Sequence, residues 1–255
     1  ELLVDNGKLL KTCILEYIES WQLGEDFRIW LDEATIFCNT LVDRIIPGVA
    51  KEAMEKEWQT IGFQDNMITS GEPYHIWAIE APLSVREELP LDKIGLNVVY
   101  TDDVSPFRTT KVRILNGAHT SMVPVGYLAG IETVREAVED EVMGQFIRQL
   151  MFEEIIPSMD LPKEDLEQFG EDVLDRFKNP FIKHHLITIS LNSISKIKAR
   201  ILPSILSYYQ KKGTLPKRLV FAFAAMIRFY KGEFNGQQIP LNDDAFKIEF
   251  LNHLW

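Results

Sequence analysis

The sequence predicts a mainly helical protein, with a small α/β segment over residues 1–104 followed by an all-helical domain over residues 105–255. Two observations carry this prediction. Short β-type runs occur only in the first segment, and after Ser105 the apolar residues recur at the three- and four-residue spacing of amphipathic helices. The chain of 255 residues can form one large domain or two small ones with proper cores. We expect the two parts to pack tightly, since no linker-like composition separates them.

The first segment is predicted to alternate helices with short extended runs. Asp5-Asn6-Gly7 offers a cap for an amphipathic helix over residues 8–21. The other predicted elements are helices over residues 25–34 and 51–60 and extended runs over residues 40–47, 74–80 and 95–101. Cys13 and Cys38 lie in apolar patterns, so we expect buried thiols in a reducing compartment rather than a disulfide.

The second segment is predicted to consist of successive helices. Ser105-Pro106 is a helix-start signal, and a helical stripe over residues 126–156 is expected to break near Asp140 or Gly144. A further helix opens at Leu161-Pro162, and we interpret its many carboxylates as a solvated face. The remaining helices are predicted over residues 181–190, 195–211, 216–231 and 243–254.

Charge and composition exclude several classes of partner. With a net charge of −11, no nucleic-acid partner is expected, because a phosphate-binding surface needs clustered Lys and Arg. Local basic clusters are interpreted as solvated helix faces or as contacts to an anionic substrate: Lys196, Lys198 and Arg200, then Lys211, Lys212, Lys217 and Arg218. The longest apolar run, residues 219–227, is too short to cross a bilayer, so no membrane partner is expected. No metal site is expected, since His184 and His185 would point in different directions on a helix.

The candidate site is the stretch over residues 111–120, which places an amine, a carboxamide and an imidazole close together. On an α-helix, at about 100° per residue, His119 lies roughly 80° and Asn116 roughly 140° round from Lys111, so all three can face one cleft. An amine and neutral hydrogen-bond donors suit carbonyl–alcohol chemistry. The alternative is structural: a solvated lysine at a helix start, a polar break and a satisfied histidine. The spacing alone favours that alternative.

Asp43 and Arg44 interrupt the apolar run over residues 40–47, where charged side chains are costly to bury without partners. They can pair with each other, with other polar groups or with a ligand. A mutual ion pair would make them structural, whereas contact with a ligand would place them in a binding site.

The spacing of Lys111, Asn116 and His119, together with the upstream motif Val42-Asp43-Arg44-Ile45-Ile46-Pro47, resembles the polyol-specific long-chain dehydrogenases. This family includes mannitol dehydrogenases and hexuronate reductases. Further matching stretches are Asn179-Pro180, Ser195-Lys196 and residues 226–230, and the hexuronate reductases are matched in addition by residues 72–77, 101–103, 107–120 and 245–251. The resemblance implies an N-terminal Rossmann domain that binds NAD and a helical substrate domain similar to the C-terminal domain of 6-phosphogluconate dehydrogenases.

The chain lacks the Gly-x-Gly-x-x-Gly turn that holds the pyrophosphate of a dinucleotide, and it begins without an initiator Met. We therefore expect it to be the back half of an oxidoreductase. In this interpretation residues 1–104 are the remainder of the cofactor domain and residues 105–255 are the substrate domain. The chain alone is then expected to bind NAD poorly and to be inactive. Its oligomeric state is not predicted.

The resemblance also implies catalytic roles. Lys111 is the acid/base that protonates the substrate ketone during reduction, Asn116 donates to the developing alkoxide, and His119 orients the substrate. A free lysine has a pKa of about 10.4, which burial or a nearby charge must lower for this role. Arg108 or Arg113 can contribute if either points inward.

Substrate binding is assigned to Arg108, Arg228 and Asp43. Arg108 stands three residues before the lysine, where mannitol-type members have a carboxylate, and a guanidinium can bind the carboxylate of a sugar acid in bidentate fashion. The alternative is that Arg108 pairs with Asp102 or Asp103. Arg228 matches a family arginine that faces the substrate, and Asp43 belongs to a motif that organises the cleft.

The expected function is the NAD-dependent reduction of a ketouronate in cytoplasmic hexuronate catabolism, and Arg108 argues against a neutral polyol. The alternatives are a reductase of another ketouronate, a mannitol-type polyol dehydrogenase, and an inactive helical interaction module. A second oxyanion-hole asparagine of the family falls on Leu2 in a gapless match, whereas Asn6 aligns with a different asparagine. Either Asn6 or no residue of this chain fills that role.

Overall fold

The computed structural model describes residues 3–46 and 51–253, except for the side chains of residues 51 and 52. Leu2 and Pro47, which enter the predictions above, lie outside the described residues. The chain divides into two compact units, Glu1–Arg108 and Thr109–Trp255. The protein is mainly helical, as predicted. In the described part of the chain, no helix is both long and apolar enough to cross a membrane.

The first unit combines short helices with a small sheet. Its described elements are α1 (Asn6–Ser20), α2 (Glu25–Ala34), β1 (Asn39–Asp43), α3 (Lys51–Ile61), β2 (Ile76–Glu80), α4 (Leu83–Glu88), a 3₁₀ turn (Leu91–Ile94) and β3 (Val98–Thr101). The strand order is β1-β2-β3, with β1 antiparallel and β3 parallel to β2. Leu41, Ala78 and Val104 form its buried apolar cluster, and Phe107 packs against them.

Helix α1 is anchored by the strand beside it rather than by its own cap. The Asn39 Oδ1 atom accepts hydrogen bonds from the backbone N–H groups of Gly7 at 3.1 Å and Lys8 at 3.3 Å. Asp5 makes no capping bond, so the local cap predicted from Asp5-Asn6-Gly7 is wrong. A Cβ atom on Gly7 would lie 2.3 Å from the carbonyl oxygen of Cys38, which is why this close approach needs glycine.

The second unit is helical apart from one hairpin in its described residues. Helix α5 (Ser105–Thr110) runs into it from the first unit and continues as a π-helical segment (Lys111–Asn116) and α6 (Gly117–Leu128). The elements that follow are α7 (Val134–Glu139), α8 (Glu141–Gln149), a second π-helical segment (Leu150–Ile155), a 3₁₀ turn (Ile156–Ser158), α9 (Lys163–Phe177), α10 (Leu186–Ile189), α11 (Ser193–Arg200), α12 (Leu202–Lys212), α13 (Lys217–Phe229), β4 (Glu233–Phe234), β5 (Gln237–Gln238) and α14 (Ala245–Asn252).

One apolar core fills this unit, with α6 at its centre. Helix α6 is buried along most of its length and packs on α13, α10 and α11. Fully buried core residues include Met122, Ile147, Leu186, Leu219 and Phe229. Because α6 is surrounded, its polar residues are held inside the protein, and they include those of the candidate site.

The predicted helix over residues 181–190 is wrong except for its last turn. The carbonyl oxygen of His184 accepts a hydrogen bond from the N–H group of Val134, and the N–H group of Leu186 donates to Glu132, both at 2.9 Å. These bonds pair the segment with residues 132–134 as a short β-bridge. The backbone groups that a helix would use are therefore already engaged.

Other element boundaries also differ from the predictions. The break near Asp140 is confirmed, because its side chain accepts from the N–H groups of Val142 and Met143 and starts α8. The predicted helix over residues 195–211 is two helices, α11 and α12, with Pro203 in the first turn of the second, where its missing N–H costs nothing.

The β4–β5 hairpin was not predicted, although its Asn235-Gly236 turn, with φ of 51° and 78°, is a strong hairpin signal. The expectation of a buried Cys13 is wrong. The buried residues of α1 are Gly7 and Ile18, and Cys13 is exposed, whereas Cys38 is half-buried and neither forms a disulfide.

Candidate active site

The three residues predicted to be catalytic, Lys111, Asn116 and His119, lie on one continuous helix that changes its hydrogen-bonding pattern along its length. Residues Lys111–Asn116 are π-helical, in which each bond spans five residues instead of four. Lys111 and Asn116 are five residues apart, so this pattern brings them closer to one face than the roughly 140° of an α-helix. The predicted angles therefore do not apply across this segment. Lys111 is half-buried at its first position.

Asn116 and His119 each place an unused hydrogen-bonding atom inside the protein. Their relative exposures are 8% and 6%. Within the described residues, neither Asn116 Nδ2 nor His119 Nε2 has a hydrogen-bond partner. The large majority of buried side-chain polar atoms are paired, so these two atoms, within one turn of helix, leave hydrogen-bonding capacity for a water molecule or a polar ligand. Among the described residues, no protein group satisfies His119 Nε2.

Aromatic rings hold the His119 imidazole in place. It stacks on Phe177 of α9 with ring centroids 4.2 Å apart, and His184 meets it edge-on at 5.3 Å. Burial holds the pKa of His119 well below its usual range, and the positive charges of His184, Arg200, Arg176 and Lys196 lower it further. His119 is therefore a neutral imidazole near pH 7.

Two basic side chains of α11 face this region. Arg200 Nη1 donates to Thr120 Oγ1 at 3.3 Å, and that hydroxyl donates to the carbonyl oxygen of Asn116 at 2.8 Å. Lys196 Nζ donates to the carbonyl oxygen of Ile189 at 2.7 Å. Burial lowers the pKa of Lys196 to about 8, with a contribution from the charge of Arg200.

The basic cluster over residues 196–200 is therefore divided between two environments. Lys198, between the two half-buried cations, is exposed. The spacing of Lys196 and Arg200, four residues apart beside the core residues Ile197 and Ile201, was a sequence signal that could have separated them. His184 and Phe177 gave no such signal, because they reach His119 only through the tertiary fold.

Arg113, on the π-helical segment, reaches α12. Its Nη2 donates to Ser207 Oγ on α12 at 2.9 Å. Burial lowers the pKa of Arg113 itself. Arg228 lies at the end of α13, donates to the carbonyl oxygen of Glu233 at 2.7 Å and stands over the Phe234 ring at 5.2 Å.

Arg108 belongs to the first unit. Its Nη2 donates to the carbonyl oxygen of Leu3 at 3.3 Å, and its buried Nε atom has no partner in the described part of the chain. Within that part it makes no ion pair with Asp102 or Asp103. Its charge adds only a minor contribution to the lowered pKa of Asp103, after hydrogen bonds from Ser105.

Asp43 is buried at the end of β1, opposite Ile76. Arg44 is exposed, and its Nε donates to the carbonyl oxygen of Glu72 at 2.7 Å. Among the described residues the mutual ion pair of Asp43 and Arg44 is therefore absent. Asn6, considered for the oxyanion hole, instead pairs its carboxamide with the backbone of Thr40 through two bonds of 2.8 Å.

A well-formed cleft of the second unit lies away from these residues. About 350 Å³ in volume, it is lined by residues 127–132 and by the hairpin residues 234, 235 and 237–239. Within the described part of the chain, its lining contains Tyr127 and Glu132 but no His, Lys or Arg. Among the described residues, no group of three His, Cys, Asp or Glu side chains could hold a metal ion.

Two protein-family profiles match the sequence of this chain. The sequence profile of the mannitol dehydrogenase C-terminal domain matches residues 103–251, and that of the mannitol dehydrogenase Rossmann domain matches residues 1–93. The chain belongs to the mannitol dehydrogenase family. Altronate oxidoreductases of Escherichia coli and Shigella flexneri are 46% and 45% identical to it over all 255 residues. The chain spans 53% of the length of these relatives.

Solved structures show the same fold. A mannitol 2-dehydrogenase of Pseudomonas fluorescens, in a ternary complex with NAD and D-mannitol, is 26% identical, with a TM-score of 0.72 over 90% of this chain and 46% of its own. A substrate-free D-sorbitol dehydrogenase is 24% identical, with a TM-score of 0.79 over 96% of this chain and 49% of its own. The second likeness concerns the fold alone.

Proposed function

We propose that the complete gene product is an NAD-dependent oxidoreductase that reduces D-tagaturonate to D-altronate in cytoplasmic hexuronate catabolism. The observation that carries this proposal is the pair of buried, unpartnered atoms, Asn116 Nδ2 and His119 Nε2, beside the half-buried cations Lys196 and Arg200. Polar atoms of this kind suit the oxygens of a sugar, and the cations suit its carboxylate. The 46% identity to altronate oxidoreductases supports the same substrate.

NAD is proposed for the complete gene product because the Rossmann-domain profile matches residues 1–93. The sequence has no Gly-x-Gly-x-x-Gly turn, so in this proposal the pyrophosphate site is formed by residues outside this chain. The bound cofactor would supply the hydride. The roles proposed below concern only the substrate side.

In this proposal Lys111 Nζ gives a proton to the ketone oxygen during reduction and takes it back during oxidation. Asn116 Nδ2 donates a hydrogen bond to the same oxygen as negative charge develops there. The neutral His119 fixes the sugar through a hydroxyl, because a buried imidazole in its neutral form can donate or accept at Nε2. Asn116 and His119 are held by the packed helix α6, so little reorganisation is needed.

Arg108, Arg228 and Asp43 remain proposed substrate-binding residues. For Arg108, the buried Nε atom without a described partner supports a ligand contact. For Asp43, burial at a strand end supports a role in organising the cleft. Arg228 rests on its match to a family arginine.

The test is to measure NADH-dependent turnover of D-tagaturonate, D-fructuronate and D-fructose by the complete gene product. We expect the highest kcat/KM with tagaturonate. Preference for fructuronate would make the protein the other hexuronate reductase, and preference for fructose would overturn the sugar-acid proposal in favour of a polyol dehydrogenase. Absence of turnover with all three would favour an interaction module.

A further inference from the structure

Arg200 is a half-buried cation whose hydrogen-bonding capacity is largely unused. Its Nη1 donates to Thr120 Oγ1 at 3.3 Å, a neutral acceptor that already donates to Asn116. In the part of the chain that the structure describes, no carboxylate lies within ion-pair distance of its guanidinium. Burying such a group away from water is costly unless an anion accompanies it. The guanidinium carries five donors, so most remain available for another acceptor.

The surroundings of Arg200 are positive rather than negative. Lys196 lies one turn earlier on α11, and burial with the charge of Arg200 lowers its pKa to about 8. Across from α11 are His119 on α6, Arg176 on α9 and His184, which adjoins the bridge at Thr133. Arg176 and Arg200 are cationic, His119 is neutral near pH 7, and none of these groups supplies a negative charge.

Among the described residues, Asp243 is the acid that acts electrostatically on Lys196, and its oxygens already accept other hydrogen bonds. Its Oδ2 accepts from the Tyr230 hydroxyl at 2.6 Å and from the N–H group of Ile194 at 3.2 Å. The bond to Ile194 fixes the first turn of α11. At the far end of that helix, Arg200 has no carboxylate partner within the described part of the chain. The group missing from this cluster is therefore an anion.

We propose that Arg200 binds the carboxylate of the sugar acid and thereby selects a uronate over a neutral polyol; this rests on the proposed function. Its guanidinium adjoins Thr120, the residue after His119, so a carboxylate held there would belong to a substrate whose hydroxyls reach the imidazole. A planar guanidinium matches a carboxylate in bidentate fashion, which an ammonium cannot do. Arg200 is a substrate-binding residue in this proposal, and Thr120 positions it.

The experiment uses the complete gene product and compares Arg200→Gln with Lys198→Gln. Both substitutions remove one positive charge from α11, but Lys198 is exposed and lies between the two inward-facing cations. We expect Arg200→Gln to raise KM for altronate about 100-fold with a smaller loss of kcat, since an ionic contact to the substrate is lost in ground state and transition state alike. Lys198→Gln should leave both constants within about twofold.

Arg200→Lys separates recognition from folding. It keeps the charge and loses the bidentate geometry, so its KM should fall between wild type and Arg200→Gln, while the KM for NAD and the thermal unfolding midpoint stay at wild-type values. Suppose that the wild-type protein is active on altronate. If the KM of Arg200→Gln or Arg200→Lys is then no higher than that of Lys198→Gln, this inference alone is overturned. A wild-type protein inactive on altronate and tagaturonate would overturn the proposed function and this inference with it.

Discussion

The two units of the chain are stabilised in different ways. The first has a small buried apolar cluster, Leu41, Ala78 and Val104, and leaves large side chains such as Trp21 and Trp30 more than half exposed. The second is built on one extensive apolar core that includes residues from nearly all of its described helices. Burial contributes roughly 25 cal/mol per Å² of apolar surface, so most of the hydrophobic stabilisation lies in the second unit.

The first unit contains a network of buried polar groups, and the second contains the buried polar groups of the candidate site. In the first, buried polar side chains are joined to one another: Asn39 Nδ2 donates to Glu80 Oε1 at 2.9 Å, and Glu80 Oε2 accepts from the N–H group of Val104 at 3.0 Å. In the second, Asn116 and His119 keep buried atoms without described partners. The first unit also keeps such atoms, Asp92 Oδ1 and Arg108 Nε, so both units carry this cost and the second offsets it with the larger apolar core.

Replacing Lys111 by Ala in the complete gene product should give the largest effect and would show whether the second unit carries the chemistry. Loss of a positioned acid/base typically lowers the rate about 10²- to 10⁴-fold, and we expect kcat for tagaturonate reduction to fall within that range. The circular dichroism spectrum and unfolding midpoint should stay unchanged. Lys163→Ala, at an exposed position on α9, is the control. Near-normal turnover by the Lys111 variant would remove it from the proposed role.

Replacing Glu154 tests how much a buried, hydrogen-bonded carboxylate contributes to the stability of the second unit. Its side chain is 3% exposed, and its two oxygens accept from the N–H groups of Arg218 at 2.9 Å and Leu219 at 2.8 Å, at the start of α13. Glu154→Ala removes the acceptor of those two N–H groups and one partner of the Arg218 guanidinium. The free energy of unfolding should therefore fall by about 3 kcal/mol, as measured in urea titrations followed by circular dichroism.

Glu153 provides the matched control for that substitution. It also contacts Arg218, at 3.0 Å, but its side chain is 54% exposed. Exposed ion pairs contribute about 0–1 kcal/mol, so Glu153→Ala should have an effect below about 1 kcal/mol. Equal losses in the two variants would show that burial does not distinguish them.

Sequence patterns predicted the parts of this fold that depend on local spacing. The amphipathic repeats placed most helices within a few residues, and the Asp140 break and the start at Ser105 followed from capping chemistry. The helix predicted over residues 181–185 is absent because the backbone there is hydrogen-bonded to residues 132–134, which are distant in sequence. The predicted cap of α1 was wrong for a similar reason, because the capping side chain is Asn39, which comes from the following strand.

For the candidate site, the sequence pattern identified candidate polar residues, but only the folded structure shows what surrounds each of them. Asn116 and His119 could be selected as polar residues within an apolar helix. Their missing partners could not be predicted, because an unpaired atom is a property of everything packed around it. The π-helical segment beginning at Lys111 also had no local signal, so the angular argument for the site was incomplete.

Asn39 tests whether the first unit is held by its polar network. Asn39→Ala removes the cap of α1 and the partner of Glu80, and we expect a loss of about 1–2 kcal/mol in that unit. Tryptophan fluorescence is the suitable probe, because four of the five tryptophans, Trp21, Trp30, Trp58 and Trp77, lie in the first unit. Asn97→Ala, exposed and without a described side-chain hydrogen bond, should change the stability by less than about 0.5 kcal/mol. A similar loss in both variants would argue against the network.

The pH dependence of stability should give the smallest effect, and it belongs to the second unit. Burial depresses the pKa of His119 in the folded protein below the ordinary value of 6.5. The unfolded chain then binds more protons as pH falls below 6.5, so stability is present above that pH and is lost below it. Between pH 6.5 and 5.5 the loss is at most about 1.4 kcal/mol for one histidine. His119→Gln should flatten this slope in urea titrations followed by circular dichroism, while His253→Gln, at an exposed position near the end of α14, should leave it as in wild type. If the slope stays unchanged in the His119 variant, another group dominates the pH dependence of stability. His184 is the next candidate, because burial also lowers its pKa.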